Sequence, residues 1–445
     1  MAKTPAQPGS SLARARALRT RAGAHPDAGT TQAISAKPAK PTKKKTATTV
    51  PPAVDGHWTR LRGRLYAFSG RPSAAYYWII ATTVALTCVG LMAVLSASAA
   101  ESISAGVDPY SLFLKAAMFA GFGLVLMMAL SFATPALLKK FAWPALGLSF
   151  FLLVAVLTPL GSEINGNRNW IKLGESFSFQ PSEAAKLALA LWMGMVLSRK
   201  GRLVGDWRHT LLPVVPVGVI LVGLILWGHD LGTAVIVMGV VGVGLFFGGG
   251  SKRVLLGAVG IGLAAAVVMA AVSGNRTARL SGWLGNCDDG QGLCDQAQNG
   301  LYALASGGWF GVGLGQSRQK WSWIPEAHND FIFAILGEEL GLLGSLVIIA
   351  LYGALAFAVF RVIMKRNDSF ARVVCGSILT WIIGQAFVNI AMVTGLLPVI
   401  GVPLPLISYG GSALVMVLAA IGVVLSFART DPAADAEQES ASSPS

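Results

Sequence analysis

The strongest constraint on this chain is a series of uninterrupted apolar runs, each close to twenty residues long. A helix of that length crosses the hydrocarbon core of a bilayer, which is about 30 Å thick. The chain is 54% hydrophobic and only 13% charged, which excludes an ordinary soluble enzyme. We therefore predict an all-α polytopic membrane protein with about ten transmembrane helices, at residues 77–99, 110–132, 141–160, 183–198, 211–228, 231–249, 253–273, 336–360, 372–394 and 412–428.

Positive charge is concentrated before the first apolar run. Residues 1–76 contain 14 Lys and Arg against two Asp, so they carry +12 of the net charge of +14. Their composition predicts a disordered basic cytoplasmic tail that meets lipid headgroups and no nucleic acid. The basic loops between runs fall on the side of this tail, which places both termini in the cytoplasm. Residues 429–445 are predicted to be a disordered acidic tail, and 274–335 the large extracytoplasmic loop between spans 7 and 8.

Two cysteines in this outer loop are candidates for a disulfide. Cys287 and Cys294 are seven residues apart, in a compartment that is oxidising if the membrane is a bacterial plasma membrane. A metal site is the alternative, but two Cys without a neighbouring His are too few ligands. Cys88 and Cys375 fall inside predicted spans, where we expect them to pack as apolar residues.

Ionisable residues concentrate on the predicted outer side. Asp330 precedes the eighth span, and Glu338 and Glu339 lie one to two helical turns inside it. Charged groups at that depth are costly. One hypothesis is that these carboxylates line a cleft together. The alternative is that Asp330 caps the helix while the two glutamates pair with buried Lys or Arg.

Two other outer segments combine polar residues with tight turns. Residues 161–186 end in a Pro-led helix start, where Glu183 and Lys186 are three apart and predicted to pair on one helix face. Residues 403–412 contain hydroxyls and a Gly-Gly hinge. The alternative for both segments is loop structure that satisfies its own backbone beside a membrane. The glycine-rich run 306–315 is predicted to be a re-entrant or surface-lying segment rather than a nucleotide loop.

Six sequence blocks, taken in order, resemble the SEDS family, the bacterial FtsW/RodA/SpoVE group. The resemblance covers about residues 77–428 and is greater to the division members than to the elongation members. The blocks are Asn165-Gly166 with Trp170-Ile171, Gln180-Pro181-Ser182-Glu183 with Lys186, Asp230-Leu-Gly-Thr233, Ser306-Gly-Gly-Trp-Phe-Gly311, Pro325-Glu-Ala-His-Asn-Asp-Phe-Ile-Phe333 with Gly337-Glu-Glu-Leu-Gly-Leu342, and Pro405-Leu-Ile-Ser-Tyr-Gly-Gly-Ser412.

This resemblance implies a peptidoglycan glycosyltransferase that polymerises lipid II into septal glycan strands and releases undecaprenyl pyrophosphate. The family's catalytic Asp matches Asp330, a general base for the acceptor hydroxyl. One carboxylate suffices because a pyrophosphate leaving group needs no general acid. A divalent cation, Mg or Mn, would assist if one binds. The substrate-binding candidates are Arg168, Lys172, Glu183, Lys186, Arg276, Arg279, Arg318, Lys320, His328, Glu338 and Ser408.

The resemblance also implies a setting and partners. We expect a multi-pass protein of the bacterial plasma membrane at the division septum, acting with a cognate class B penicillin-binding protein, which is a single-span transpeptidase, and with other division proteins. Two alternatives remain open, a lipid II flippase and a non-catalytic division scaffold. A carrier should expose a charged path to both membrane faces, whereas the predicted spans contain few deep charges.

Two positions depart from the family pattern. Asn169 stands where the family usually has Arg, so the role of that Arg cannot be transferred to it. Gly228-His229 stands where the family usually has Gln or Glu followed by Pro, so the turn before Asp230 is expected to have a different shape.

The disulfide is directly testable. If Cys287 and Cys294 are bridged, the peptide that contains both should be about 2 Da lighter under non-reducing conditions, because two hydrogens are lost when the sulfurs join. Mass spectrometry of protein expressed with its outer loop in an oxidising compartment measures this difference. Free thiols at both positions would contradict the prediction.

Overall fold

The computed structural model describes residues 73–104, 106, 108–164, 167–172, 174, 178–201, 207–250, 256, 257, 260, 280, 283, 284, 293–321 and 328–429. Several predictions fall outside these residues: nearly all of both predicted tails, most of the seventh span at 253–273, and the candidates Arg276, Arg279 and Cys287. Cys294 lies in a described helix, but its side chain is not described. The disulfide therefore stays a prediction.

Helices dominate the described chain, as the apolar runs predict. A π-helical segment, Thr380–Gly384, joins two of them. The helices are α1 (Ala74–Ser104), α2 (Ser111–Ser131), α3 (Pro135–Leu157), α4 (Pro181–Lys200), α5 (Trp207–Trp227), α6 (Leu231–Phe247), α7 (Leu293–Ser306), α8 (Ile332–Lys365), α9 (Ser369–Leu379), α10 (Gln385–Val393) and α11 (Gly411–Arg429).

The helices match the predicted spans closely. A helix overlaps every predicted apolar run whose residues are described. Six helical segments of the described chain are long and apolar enough to cross a membrane, and α5 and α6 add shorter apolar ones. Helix α4 has length enough, but it contains Glu183, Lys186, Arg199 and Lys200. The protein is therefore a mostly helical, polytopic membrane protein, and the count of ten spans stays a prediction.

A small antiparallel sheet covers the end of the bundle between α3 and α4. Its strands are β1 (Gly161–Ile164), β2 (Asn167–Lys172) and β3 (Ser178–Phe179), in the order β1-β2-β3. The sequence predicted helices alone, with a polar connection over this stretch. Paired strands give the connection its own backbone hydrogen bonds, which a chain segment beside lipid requires.

Helices α4 and α11 form the centre of the bundle and are buried on most sides. Helix α4 packs against α3 and α9, and α11 packs against α2. Helix α1 packs against α8, and α6 packs against both α5 and α9. Ser182, Glu183 and Lys186 near the start of α4 are consequently buried inside protein and do not face lipid, whereas Arg199 at its end is exposed.

The longest helix, α8, is broken near its first third. Gly341 has φ 70° and ψ −169°, which is outside the helical region. The glycine-rich loop 307–315 lies against this break and supplies the hydrogen bonds that the helix loses there. These bonds run from Val312 N to Glu338 O (3.0 Å), Gly313 N to Glu339 O (3.1 Å), Leu342 N to Gly308 O (2.9 Å) and Leu343 N to Trp309 O (3.2 Å).

Substitution of the loop glycines should destabilise the protein. Gly311 has φ 83°, and a Cβ there would lie 2.1 Å from the carbonyl oxygen of Glu339. We expect Gly311→Ala to lower the free energy of unfolding by at least about 1–3 kcal/mol, because both the backbone and the contact are strained. The control is Gly353→Ala on α8, the helix that the loop contacts, where an added Cβ meets nothing within 4 Å. Thermal unfolding in detergent compares them, and equal melting temperatures would contradict this packing.

Candidate functional site

Polar connections draw the starts of four helices together at one end of the bundle. Arg168 N in β2 donates to Gly228 O before α6 (3.0 Å), and Tyr409 N before α11 donates to His328 O before α8 (3.1 Å). Gln180 N, just before α4, donates to Ser412 Oγ in α11 (3.2 Å). We call this end, where α4, α6, α8 and α11 begin, the polar end.

Buried charge in the described chain is confined to the polar end. Each of the six buried Asp, Glu, Lys or Arg side chains in the described chain lies at the start or in the first turns of a helix that begins there, or in the loop that leads to α8. Because a charge inside a membrane protein is costly and usually functional, the polar end is the candidate site. The six residues are Glu183, Lys186, Asp230, Lys320, Glu338 and Glu339.

The predicted ion pair in α4 is confirmed. Lys186 Nζ lies 2.7 Å from Glu183 Oε1, and the two side chains are 1% and 2% exposed. Lys186 also donates to Gln385 Oε1 in α10 (2.9 Å) and lies 4.7 Å from the ring centroid of Trp381. The ammonium group is therefore satisfied by a carboxylate, an amide and an aromatic face. This environment makes a fully buried lysine tolerable.

Asp230 sits at the N-cap of α6 and collects hydrogen bonds from three elements. Its Oδ1 accepts from Thr233 N (2.9 Å), and its Oδ2 accepts from Thr233 Oγ1 (2.8 Å). The amides of Asn169 and Gln180 also donate to Oδ2, at 2.9 and 3.2 Å. Asn169, which departs from the family pattern, thus binds Asp230. The preceding His229 has φ 65°, so the turn has the unusual shape that the sequence led us to expect.

A narrow cleft lies beside Asp230. Two polar atoms at the cleft, Asn169 Oδ1 and Ser182 Oγ, are buried and have no hydrogen-bond partner among the described residues. Arg168 also lines it and donates from Nη2 to Thr158 O (2.7 Å). Polar groups facing apolar walls suit an amphipathic ligand. The apolar walls are Leu153, Val156, Leu157, Leu224 and Ile225.

Asp330 lies half-buried just before α8, in a segment that other elements hold by its backbone. Asn389 Nδ2 in α10 donates to Asp330 O (2.8 Å), and Ser408 Oγ donates to Asn329 O (2.6 Å). The rings of His328 and Tyr409 meet edge to face, with centroids 5.5 Å apart. Helix α8 begins at Ile332 with Phe331 at its N-cap, one residue after Asp330. Together, these contacts fix the main chain around Asp330.

A second narrow cleft adjoins this segment. It lies between α1, α2 and the loop before α11, and Ser408 and Tyr409 line it. Burial raises the pKa of the Tyr409 phenol above its usual value of 10.0, so the hydroxyl stays neutral at physiological pH.

Glu338 and Glu339 bind the loop that leads toward Asp330. Glu338 accepts from the hydroxyl of Ser317 and from Arg318 N (3.1 Å). Glu339 Oε1 lies 3.3 Å from Lys320 Nζ. The alternative in which the glutamates meet a buried lysine is therefore confirmed for Glu339. Lys320 and Glu338, both predicted to bind substrate, hold the loop in this arrangement.

The remaining cationic candidates differ in exposure. Lys172 and Arg318 are exposed, and Arg168 is half-buried. Among the described residues, no group of three or more His, Cys, Asp or Glu side chains is gathered to hold a metal ion. A divalent cation would therefore need oxygen ligands from other residue types or from a substrate.

Two buried amides of the site, Gln385 and Asn389, were not predicted from the sequence. Both lie inside the apolar run 372–394, where they contact Lys186 and Asp330 respectively. Polar amides four residues apart in an otherwise apolar span are a readable signal, because a polar side chain within lipid needs a partner.

Loss of either member of the ion pair should destabilise the bundle. We expect Glu183→Ala or Lys186→Ala to lower the free energy of unfolding by about 3–5 kcal/mol, because each leaves a buried charge unpaired. The swap Glu183→Lys with Lys186→Glu should restore part of that loss, because it re-forms the pair. Thermal unfolding in detergent measures all three. Wild-type melting of both single variants would show that neither charge is buried.

Comparison with known proteins agrees with this architecture. The family model described as a cell cycle protein, FtsW/RodA/SpoVE, matches residues 77–432. The probable peptidoglycan glycosyltransferase FtsW of Mycobacterium tuberculosis is 39% identical over 382 residues, which cover 84% of this chain and 72% of that protein. Stage V sporulation protein E of Bacillus subtilis is 36% identical, over 79% of this chain and 96% of that protein.

Two solved structures share the fold. The rod shape determining protein RodA of Thermus thermophilus has a TM-score of 0.59 and 29% identity, covering 79% of this chain and 95% of that chain. A chain from the structure of a peptidoglycan synthase complex that coordinates polymerization and crosslinking has a TM-score of 0.63 and 28% identity, covering 78% and 96%. The chain belongs to the FtsW/RodA/SpoVE family, as its six sequence blocks indicated.

Proposed function

We propose that this protein is a peptidoglycan glycosyltransferase that polymerises lipid II into septal glycan strands during bacterial cell division. Relatives that align with most of the chain are named as peptidoglycan glycosyltransferases. The observation that carries the proposal is the confinement of buried charge to the polar end. A lipid-linked substrate can present its sugars and pyrophosphate there while its polyprenyl chain stays in the membrane.

The proposed reaction needs one base and stabilisation of one leaving group. Asp330 accepts the proton of the acceptor 4-hydroxyl as that oxygen attacks the anomeric carbon of the donor, with inversion. The bond from the anomeric carbon to the pyrophosphate oxygen breaks, and undecaprenyl pyrophosphate leaves with the electron pair. Pyrophosphate is a stable anion, so the step needs no general acid.

Cationic side chains would stabilise the departing pyrophosphate. Arg168 is the best placed of the described candidates, because it lines the cleft beside Asp230. Lys172 and Arg318 are exposed and free to approach a bound headgroup. Lys320 is less suited, because it is buried against Glu339. Arg276 and Arg279 remain proposals from the sequence.

The confinement of buried charge to one end of the bundle favours a polymerase over a lipid II flippase. A flippase moves a doubly charged headgroup through the bilayer and needs polar groups along the whole path. Among the described residues, the middle and opposite end of the bundle hold no buried Asp, Glu, Lys or Arg. A non-catalytic division scaffold would need none of the buried ion pairs and hydrogen bonds at the polar end.

The proposal includes a partner and a location. The matching chain of known structure comes from a peptidoglycan synthase complex that coordinates polymerization and crosslinking. We propose that this protein likewise works with a cognate class B penicillin-binding protein, together with other division proteins, at the septum of the plasma membrane. Lipid II itself is the proposed substrate.

Substitution of the base is the direct test. Asp330→Asn keeps the shape of the side chain and removes its basicity, so we expect polymerisation of purified lipid II to fall about 10²–10⁴-fold with unchanged melting. Asp368→Asn is the matched control. Asp368 follows the far end of α8 from Asp330 and caps α9 by accepting a hydrogen bond from Phe370 N, and Asn caps helices equally well. The rate of glycan formation is read on a gel.

The control should polymerise within about threefold of the wild type, since only a cap residue has changed. If Asp330→Asn also does so, Asp330 is not the base, because the expected loss is far larger.

A further inference from the structure

Two buried amide side chains lie on one face of α10. Gln385 and Asn389 are four residues apart, so they lie one above the other on the helix, and they are 2% and 0% exposed. The π-helical segment Thr380–Gly384 immediately precedes them. Such segments re-aim the residues that follow and are frequent at functional sites.

Asn389 holds two carbonyls of different segments at once. Its Nδ2 donates to Asp330 O at 2.8 Å and to Val402 O at 2.7 Å. Both hydrogens of the amide are therefore used, and the main chain at Asp330 is fixed against the loop before α11.

Gln385 extends the same connection to the buried ion pair. Its Nε2 donates to Pro403 O (2.9 Å), the carbonyl next to the one that Asn389 binds. Its Oε1 accepts from Lys186 Nζ (2.9 Å) and from Trp381 Nε1 (3.2 Å). One helix face thus joins Lys186 to Asp330 through two adjacent carbonyls.

We propose that Asn389 is a positioning residue, which sets the location of Asp330 and connects it through residues 402 and 403 and Gln385 to Lys186. The role rests on the proposed function of Asp330 as the base. A neutral amide suits the position because it offers two donors without a buried charge. A base must lie within hydrogen-bond reach of the hydroxyl, so a displaced Asp330 loses rate even when it stays ionised.

The test is Asn389→Leu in the full chain. Leu has a similar volume and donates no hydrogen bond. We expect kcat for lipid II polymerisation to fall about 10–100-fold, as a displaced catalytic group predicts. KM should stay within about threefold, because Asn389 is fully buried and has no surface to offer a substrate. Hydrogen exchange in the peptide 328–335 should become faster, and this readout does not depend on activity.

The matched control is Ser149→Ala. Ser149 is buried in α3 and donates to Ala145 O (2.8 Å), so the control also removes a buried side-chain bond to a carbonyl. It should leave kcat and the exchange of 328–335 unchanged. If Asn389→Leu does not fold, Asn389→Ser, which keeps one donor, takes its place, with an expected three- to tenfold loss of kcat.

Wild-type kcat in a folded Asn389 variant, or unchanged exchange over 328–335, would overturn the proposal. A loss confined to KM would do the same. Failure of the proposed function gives a different result: Asp330→Asn would then stay active, while faster exchange in Asn389→Leu would still show that Asn389 fixes this segment.

Discussion

A charge buried in a membrane protein has no water to neutralise it, and this constraint organises the polar end. The Glu183 carboxylate meets Lys186, and Glu339 meets Lys320. Asp230 has no cation bound to it in the described chain and is stabilised instead by the four donors described above. Lys186 also donates to Gln385 in α10, and Gln180 just before α4 donates to Asp230 at the start of α6, so the network connects α4 to α6 and α10.

Backbone polar groups obey the same constraint. Where α8 breaks at Gly341, the glycine-rich loop supplies the missing hydrogen bonds, and where the chain leaves α3 it forms a sheet. Irregular backbone at membrane depth persists only where protein covers it or where it lines a cavity. The sheet lines one cleft at the polar end through Arg168 and Asn169, and the loop before α11 lines the other through Ser408 and Tyr409.

Much of this arrangement was predictable from the sequence. The apolar runs located the helices because transfer into lipid depends on run length, and Glu183 and Lys186 were matched by helix spacing alone. The strands were not predicted, since two to six residues of mixed polarity give no periodic signal. The amides of Asn389 and Gln385 were visible in an apolar run, but their backbone partners, the carbonyls of Asp330, Val402 and Pro403, are more than ten residues away and follow no sequence pattern. Both alternatives for Glu339 were open until its contact with Lys320 was known.

We infer that the buried charge at one end of the bundle serves polymerisation of lipid II and not its transport across the membrane. The most direct measurement uses the full wild-type chain in liposomes that contain fluorescent lipid II, with and without a class B penicillin-binding protein. Glycan length is read on a gel, and movement of lipid II between leaflets is read by quenching of its fluorescence. We expect glycan polymers, which are longer or more abundant with the partner, and no protein-dependent movement of lipid II between leaflets. Rapid movement of lipid II with no polymer under either condition would contradict it.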